Sequence, residues 1–354
     1  MIFFILLIIV ILIIFTKKRF DKFLNSRDKD KLYIYLSGEN NIEDEVPVLD
    51  ADFKFVPFIK EGCKWTPFFL FINKNYKKIE DDWKSDNAFM DRKYDLIYSN
   101  SNCDRGSGAI ERYNLFSVLK TISSNVHSIG KCQTTNRVEI KTTWNNNGDI
   151  FKDYKFCIVI ENTIYPGYIT EKILNGYKGG CIPILWSGKN KENKEWYENL
   201  FNKNTFLDLA DYDNFDDIKN EIILLLEGKP GLKNGLTLTE MKSFDIFTKY
   251  NNEMHPMFYW DVSPEKYFGN EMRIIDERFK NKDKIVIYKH PKNTYSVTID
   301  VTKAIFKNHN IIFKDLKKSI NPFNNHVISI GRKFPRINHT DGDVDVFLVN
   351  EYRG

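Results

Sequence analysis

The chain has 354 residues, 42% hydrophobic and 15% aromatic, which is enough apolar material for two ordinary domains and too much for a disordered chain. With 52 basic and 48 acidic residues the net charge is only +4, a balance that argues against a nucleic-acid-binding surface. Five cysteines, without a CxxC pair or a Cys/His spacing suited to zinc, give neither a disulfide framework nor a metal site.

Residues 2–15 are uninterrupted Phe, Ile, Leu and Val, and Lys17, Lys18 and Arg19 follow at once. The run is shorter than the ~20 residues of a spanning helix, so residues 1–20 read as a signal peptide or a short membrane anchor. No small-residue cleavage site follows, which favours the anchor. The basic cluster on its C-terminal side would place the body of the chain in the cytosol.

Lys31–Leu36 is the first compact strand, and the Ser37-Gly38-Glu39-Asn40 turn presents a carboxylate at its C-terminal edge. Aromatic-rich strands are expected around Asp52–Phe55 and Phe68–Phe71. The polar run Asn73–Asp91 reads as a surface connection, with a domain boundary near residue 90.

From Tyr94 the α/β alternation is regular. It comprises a strand at 94–99, a helix at about 109–122, a strand at 126–129, a polar loop, an apolar strand ending at Ile160, a helix opening near Tyr168, and a second apolar strand through Ile182–Trp186. Thr205–Leu209 reads as a further strand. Asp213–Gly228 reads as a helix on the spacing of Ile218, Ile222, Ile223 and Leu226, and a last helix is expected over 237–249. Cys157 and Cys181 fall in core strands as small apolar fillers, while Cys103 and Cys132 could pair. The tail offers strands at Lys284–Tyr288, Asn310–Phe313 and Asp343–Val349, with a helix near 300–308. No internal repeat is present. The domains implied are 21–90, 91–250 and 251–354, all α/β.

The chemistry concentrates after Ile160. A helix beginning at Tyr168, behind a Pro166-Gly167 turn, would aim its unpaired N–H groups and positive dipole end at the loop, where a phosphate fits. Lys172, expected on the same face as Tyr168, would add a full charge, and Glu171 could accept hydrogen bonds from ribose hydroxyls. Glu161 and Asn162 end the apolar strand, where Glu161 either ties the loop's backbone together or contacts a ligand. Arg112, early in its helix, would be a second cation near a diphosphate. Asp341, Asp343 and Asp345 imitate a metal motif but read as a turn. The absence of GxGxxG argues against a dinucleotide-dependent oxidoreductase.

The run Glu161-Asn162-Thr163 through Tyr168-Ile-Thr-Glu171-Lys172-Ile-Leu, and then Gly180-Cys-Ile-Pro183-Ile-Leu-Trp186, closely resembles the signature of the α-1,3-fucosyltransferases, glycosyltransferase family 10. Tyr98-Ser99-Asn100 with Arg112, Val126-His-Ser-Ile-Gly130-Lys-Cys132 and Leu36-Ser-Gly38-Glu39-Asn40 extend the resemblance over about residues 31–245. It implies a GT-B-like α/β fold, two Rossmann-like domains facing across a cleft, behind an N-terminal hydrophobic anchor.

The resemblance further implies GDP-fucose as donor and inverting transfer of L-fucose to a glycan acceptor on a glycoprotein or glycolipid. Arg112 and Lys172 would hold the diphosphate. Asn162, Tyr168, Glu171 and Glu161 would bind the rest of the donor, and Glu39 would be the general base, with no metal or other cofactor required. Two departures stand out. The Cys103-to-Arg112 spacing is longer than usual in the family, which makes Arg105 the rival of Arg112, and the acceptor-side segment before Gly38 is short. Residues 283–354 are expected to supply the missing strands. The expected setting is a single-pass membrane protein of Golgi or ER, held through residues 2–15. Competing readings are a non-catalytic glycan- or nucleotide-binding relative and a transferase using another nucleotide sugar.

Overall fold

A computed structural model describes residues 31–36, 52–67, 75–132, 136–138, 147–260, 262–280, 284–289, 311–312, 337–339 and 342–350. The expected anchor, Glu39, Phe68–Phe71 and the expected helix at 300–308 lie outside them. Among the described residues no helix is long and apolar enough to cross a membrane.

The chain divides into two compact units. The larger comprises Pro57–Ile59 and Trp65–Tyr267. Its five-stranded sheet runs, in spatial order, Val126–Ile129, Tyr94–Ser99, Tyr154–Ile158, Ile182–Leu185 and Leu207–Asp208, with every pairing parallel. A parallel sheet has helices on both faces and therefore needs strands apolar on both sides. Leu96, Ile97, Phe156, Ile182 and Ile184 are all fully buried. Numbered within the sheet, the order is 2-1-3-4-5, and the direction of winding reverses between Tyr94–Ser99 and Tyr154–Ile158. Ligands bind at such switch points, outside the carboxyl ends of the strands.

The helices follow local signals. Phe215–Leu226 starts where the Asn214 side chain accepts the N–H groups of Asp216 and Asp217, buries Ile218, Ile222 and Leu225, and gives way to Gly228 at φ +75°. The helix expected at 109–122 occupies Ser107–Leu119.

Several expectations are corrected. The supposed surface connection contains a helix, Tyr76–Lys84, capped by Asn75 and burying Tyr76, Ile79 and Trp83; its Lys and Asp residues conceal that spacing in the sequence. Tyr76 packs on Phe258 at 4.9 Å and Trp83 on Tyr177 at 5.3 Å, which is why this stretch belongs to the larger unit and the division falls before residue 90. The helix expected at 237–249 stops at Ser243, after a Thr237/Glu240 capping box, and Lys249–Tyr250 instead pairs with Glu253–Met254. Only Leu207–Asp208 of the 205–209 segment is strand, flanked by short 3-10 turns.

The smaller unit comprises the described parts of Met1–Val56, Lys60–Lys64 and Phe268–Gly354. Here Lys31–Leu36 pairs in parallel with Phe53–Val56 on one side and with Lys284–Lys289 on the other. Lys284–Lys289 pairs in parallel with Gly342–Asn350, and Ile337–His339 and Ile311–Ile312 add antiparallel strands. Tail strands thus share one sheet with the first strands of the chain, and Phe268 sets its ring edge on Phe55 at 5.8 Å. Asp343 and Asp345 are strand residues, not part of a turn.

Candidate active site

A cavity of about 330 Å³ opens at the switch point of the larger unit, lined by the Ser99–Asn102 loop, Gly130, Ile158, Val159, Asn162, Arg112, Glu171, Lys172 and Asn175. Its walls are loops leaving the carboxyl ends of three parallel strands, and its floor is the first turn of the Glu171–Lys178 helix.

That helix opens later than expected. Thr170 is its N-cap residue in extended conformation, and Glu171, not Tyr168, is its first residue. The Thr170 hydroxyl makes no cap bond to the helix. Instead Glu161, 1% exposed, accepts the Thr170 N–H at 2.7 Å and the Thr170 hydroxyl at 2.8 Å, and accepts Lys172 Nζ at 2.8 Å. Lys172 also donates to Thr170 Oγ1 at 2.8 Å. An ammonium has three donors, so two of them orient Lys172. Burial works against its charge, but Glu161 and then Glu171, 3.8 Å away, outweigh that and hold its pKa above the ordinary lysine value.

Arg112 is completely buried at the back of the cavity. It donates to the carbonyls of Ile160 and Asn102 and to Asn162 Oδ1, each at 2.8 Å, so one guanidinium ties three parts of the wall together. Burial lowers its pKa, opposed by Tyr98 and Glu161. Two cations, Arg112 and Lys172, thus face two carboxylates, Glu161 and Glu171, so the cluster is neutral as a whole while the Lys172 ammonium is the charge partly open to the cavity.

Glu161, Asn162, Arg112, Glu171 and Lys172 are therefore brought together. Tyr168 is not among the cavity-lining residues: it is 7% exposed in the turn before the helix, and its N–H donates to the Tyr165 carbonyl at 3.0 Å. The expectation of a face shared with Lys172 fails because the chain between them is extended at Thr170. Arg105 is exposed, in a turn closed by Asn102, so of the two rivals Arg112 is the one at the cavity. Cys103 and Cys132 form a disulfide joining the two loops at the cavity rim. Cys157 and Cys181 are fully buried free thiols.

Sequence reasoning passed over the glycines that let these loops meet. A Cβ on Gly108 would lie 2.1 Å from the Glu161 carbonyl oxygen, and one on Gly106, at φ +108°, 2.3 Å from that of Asn162. Gly130, at φ +98°, meets the Asn100 carbonyl in the same way. For the first two, the available signal was the Gly106-Ser107-Gly108 run that opens the Arg112 helix. Asn175, one turn after Glu171 and 3% exposed, was also missed.

Residues 90–230 match the model of glycosyltransferase family 10 (fucosyltransferase), C-terminal domain. Over these residues the chain is similar to glycosyltransferase family 10. An alpha-(1,3)-fucosyltransferase FucT of Helicobacter pylori is 28% identical over 155 residues, 44% of this chain. The human 4-galactosyl-N-acetylglucosaminide 3-alpha-L-fucosyltransferase 9 is 38% identical over 58 residues, 16% of this chain. The chain spans 30% of the length of the first relative and 15% of the second. A crystal structure of an alpha1,3-fucosyltransferase shares the fold at TM-score 0.51 and 19% identity, over 74% of this chain and 75% of that one. The matched residues thus contain the whole Lys172 cluster and every wall of the cavity.

Proposed function

We propose that this chain is an inverting fucosyltransferase that moves L-fucose from GDP-fucose to a hydroxyl of a glycan acceptor. The supporting observation is Lys172, held by Glu161 and Thr170 at the first turn of a helix in a switch-point cavity. Its third N–H and the first-turn amides form an anion site suited to a diphosphate. The match of residues 90–230 to the fucosyltransferase family model supports GDP-fucose as that donor.

In this reading Lys172 contacts the diphosphate, while Arg112 supplies positive potential and holds Asn162, whose amide nitrogen faces the donor. Glu171 accepts hydrogen bonds from ribose hydroxyls. Glu161 orients Lys172, and Tyr168 packs the loop without touching the donor. Glu39 takes the proton of the acceptor hydroxyl as that oxygen attacks the anomeric carbon from the face opposite the leaving group. The bond to the diphosphate breaks, GDP departs with the electron pair, and the developing charge is met by Lys172 and Arg112. A base of this kind contributes roughly 10²–10⁴-fold. Acceptor binding is assigned to the unit containing Lys31–Leu36.

The Cys103–Cys132 disulfide favours an oxidising compartment for the body of the chain, contrary to the orientation suggested by the basic cluster after residue 15. We assign the chain to the lumenal side of a Golgi or ER membrane, anchored by residues 2–15. The test incubates the full chain in detergent with a panel of nucleotide sugars, with and without an N-acetyllactosamine-type acceptor, and measures released nucleotide. Turnover of GDP-fucose alone is expected. Turnover of a different donor, or GDP binding without turnover of any, overturns the assignment.

A further inference from the structure

The loop from Glu161 to Thr170 is closed at both ends. At its neck the Glu161 carboxylate accepts the Thr170 N–H and hydroxyl. At its tip the Tyr165-Pro166-Gly167-Tyr168 turn offers two consecutive carbonyls, and both are taken by one distant segment. The Ile59 N–H donates to the Pro166 carbonyl and Trp65 Nε1 to the Gly167 carbonyl, each at 2.8 Å, the latter from 102 positions away. Phe58 sets its ring edge against Tyr165 at 5.2 Å.

Gly167 fits this segment closely. At φ +72°, its missing Cβ would lie 2.7 Å from Ile59 Cγ1 and 2.9 Å from Trp65 Nε1. Trp65 is itself fixed: it is 8% exposed, it packs against Trp196 at 4.7 Å, and its carbonyl accepts the Tyr267 hydroxyl. Ile169 and Thr170, 1% and 4% exposed, join the tip to the start of the helix and have no room to absorb a displacement.

We infer that Pro57–Ile59 and Trp65 form a strap that sets the position of the 161–170 loop, which makes Trp65 a positioning residue for Lys172. The inference deepens the proposed function, since it takes Lys172 as the diphosphate ligand. An indole N–H lost from a buried carbonyl leaves that carbonyl unpaired, and the tip relaxes towards another donor. Lys172, five residues downstream of Gly167, then loses the geometry on which anion binding depends.

The test compares Trp65→Phe with Trp83→Phe in the full chain. Trp83 is also buried, and its indole also donates to a backbone carbonyl, that of Phe244 at 3.2 Å, but it lies outside the loop and the cavity. Trp65→Phe is expected to weaken GDP binding by roughly 3- to 10-fold, to raise the donor KM more than it lowers kcat, and to speed amide exchange across 165–173. Trp83→Phe is expected to lower the melting temperature without any of these. Equal exchange and equal GDP affinity in the two variants would overturn the strap. Should the native chain fail to bind GDP, the donor reading falls, while the exchange comparison still decides on the strap. If Trp65→Phe does not fold, Phe58→Leu, which removes only the ring edge against Tyr165, replaces it in the same measurements.

Discussion

Glu161 and Lys172 are eleven positions apart in the chain and 2.8 Å apart in the fold, and their ion pair fastens the end of a sheet strand to the start of the next helix. Glu161 is buried and Lys172 partly exposed, so the carboxylate serves to orient the ammonium towards the cavity.

Lys172→Met is expected to weaken GDP binding by about 10- to 100-fold, the loss of one charge-assisted hydrogen bond. It should also destabilise the chain by about 2 kcal/mol, because Glu161 is left buried with Arg112 as its nearest cation. Adding Glu161→Gln should recover most of that stability and none of the affinity. Calorimetry of GDP binding, paired with urea unfolding of the two variants, checks both. Affinity restored by the second substitution would remove Lys172 from the binding site.

Gly108 and Gly269 are both helical, yet alanine should act on them in opposite directions. At Gly108 the added Cβ meets the Glu161 carbonyl at 2.1 Å, so the Arg112 helix must move off the loop, at a cost of about 2–3 kcal/mol. At Gly269, within the Glu265–Lys280 helix, nothing lies within 4 Å, and alanine should stabilise by ~0.5–1 kcal/mol. Chemical denaturation of the two variants measures the contrast.

The disulfide closes a loop of 29 residues between two walls of the cavity. Serine at Cys103 and Cys132 together should cost roughly 3–4 kcal/mol through the greater freedom of the unfolded chain. It should also weaken GDP binding several-fold, since Asn102, adjacent to Cys103, presents a carbonyl to Arg112. Unchanged affinity in the serine variant would show that Arg112 alone holds the loop.

Lys242 is 8% exposed, with Nζ 3.6 Å above the Trp83 ring, 3.1 Å from the Gly180 carbonyl and 3.4 Å from Asp86, which is also paired with Arg92. Burial pulls its pKa down to about 8; Asp86 resists this and Arg92 adds to it. Below pH 8 both folded and unfolded chains carry this proton. Between pH 8 and the ordinary lysine value the unfolded chain binds more of it, so this group makes stability rise with pH by about 3 kcal/mol across that window. Lys242→Met removes this gain, so native stability relative to the variant should be level below pH 8 and climb above it. A difference independent of pH would mean that the ammonium is not buried as described.

The central sheet was legible because parallel strands buried on both faces must be written as apolar runs, and Tyr94–Ser99, Tyr154–Ile158 and Ile182–Leu185 are such runs. Phe215–Leu226 was legible from its spacing and its terminal Gly228. The Tyr76–Lys84 helix was not, because three buried residues among Lys and Asp leave a weak pattern until Phe258, Phe247 and Tyr177 supply the surface they pack on.

The sequence by itself determined the class of the larger unit, the residues of the Lys172 cluster and the family signature, since these depend on local patterns of apolar, turn and charged residues. Only the tertiary structure decided that Glu161 holds Lys172, that Arg112 is a buried clamp between Asn102, Ile160 and Asn162, that Tyr168 precedes the helix, and that tail strands join the sheet of Lys31–Leu36. Each of these depends on which distant groups come within hydrogen-bonding reach. That is fixed by how the loops close over the sheet, and no spacing along the chain encodes it.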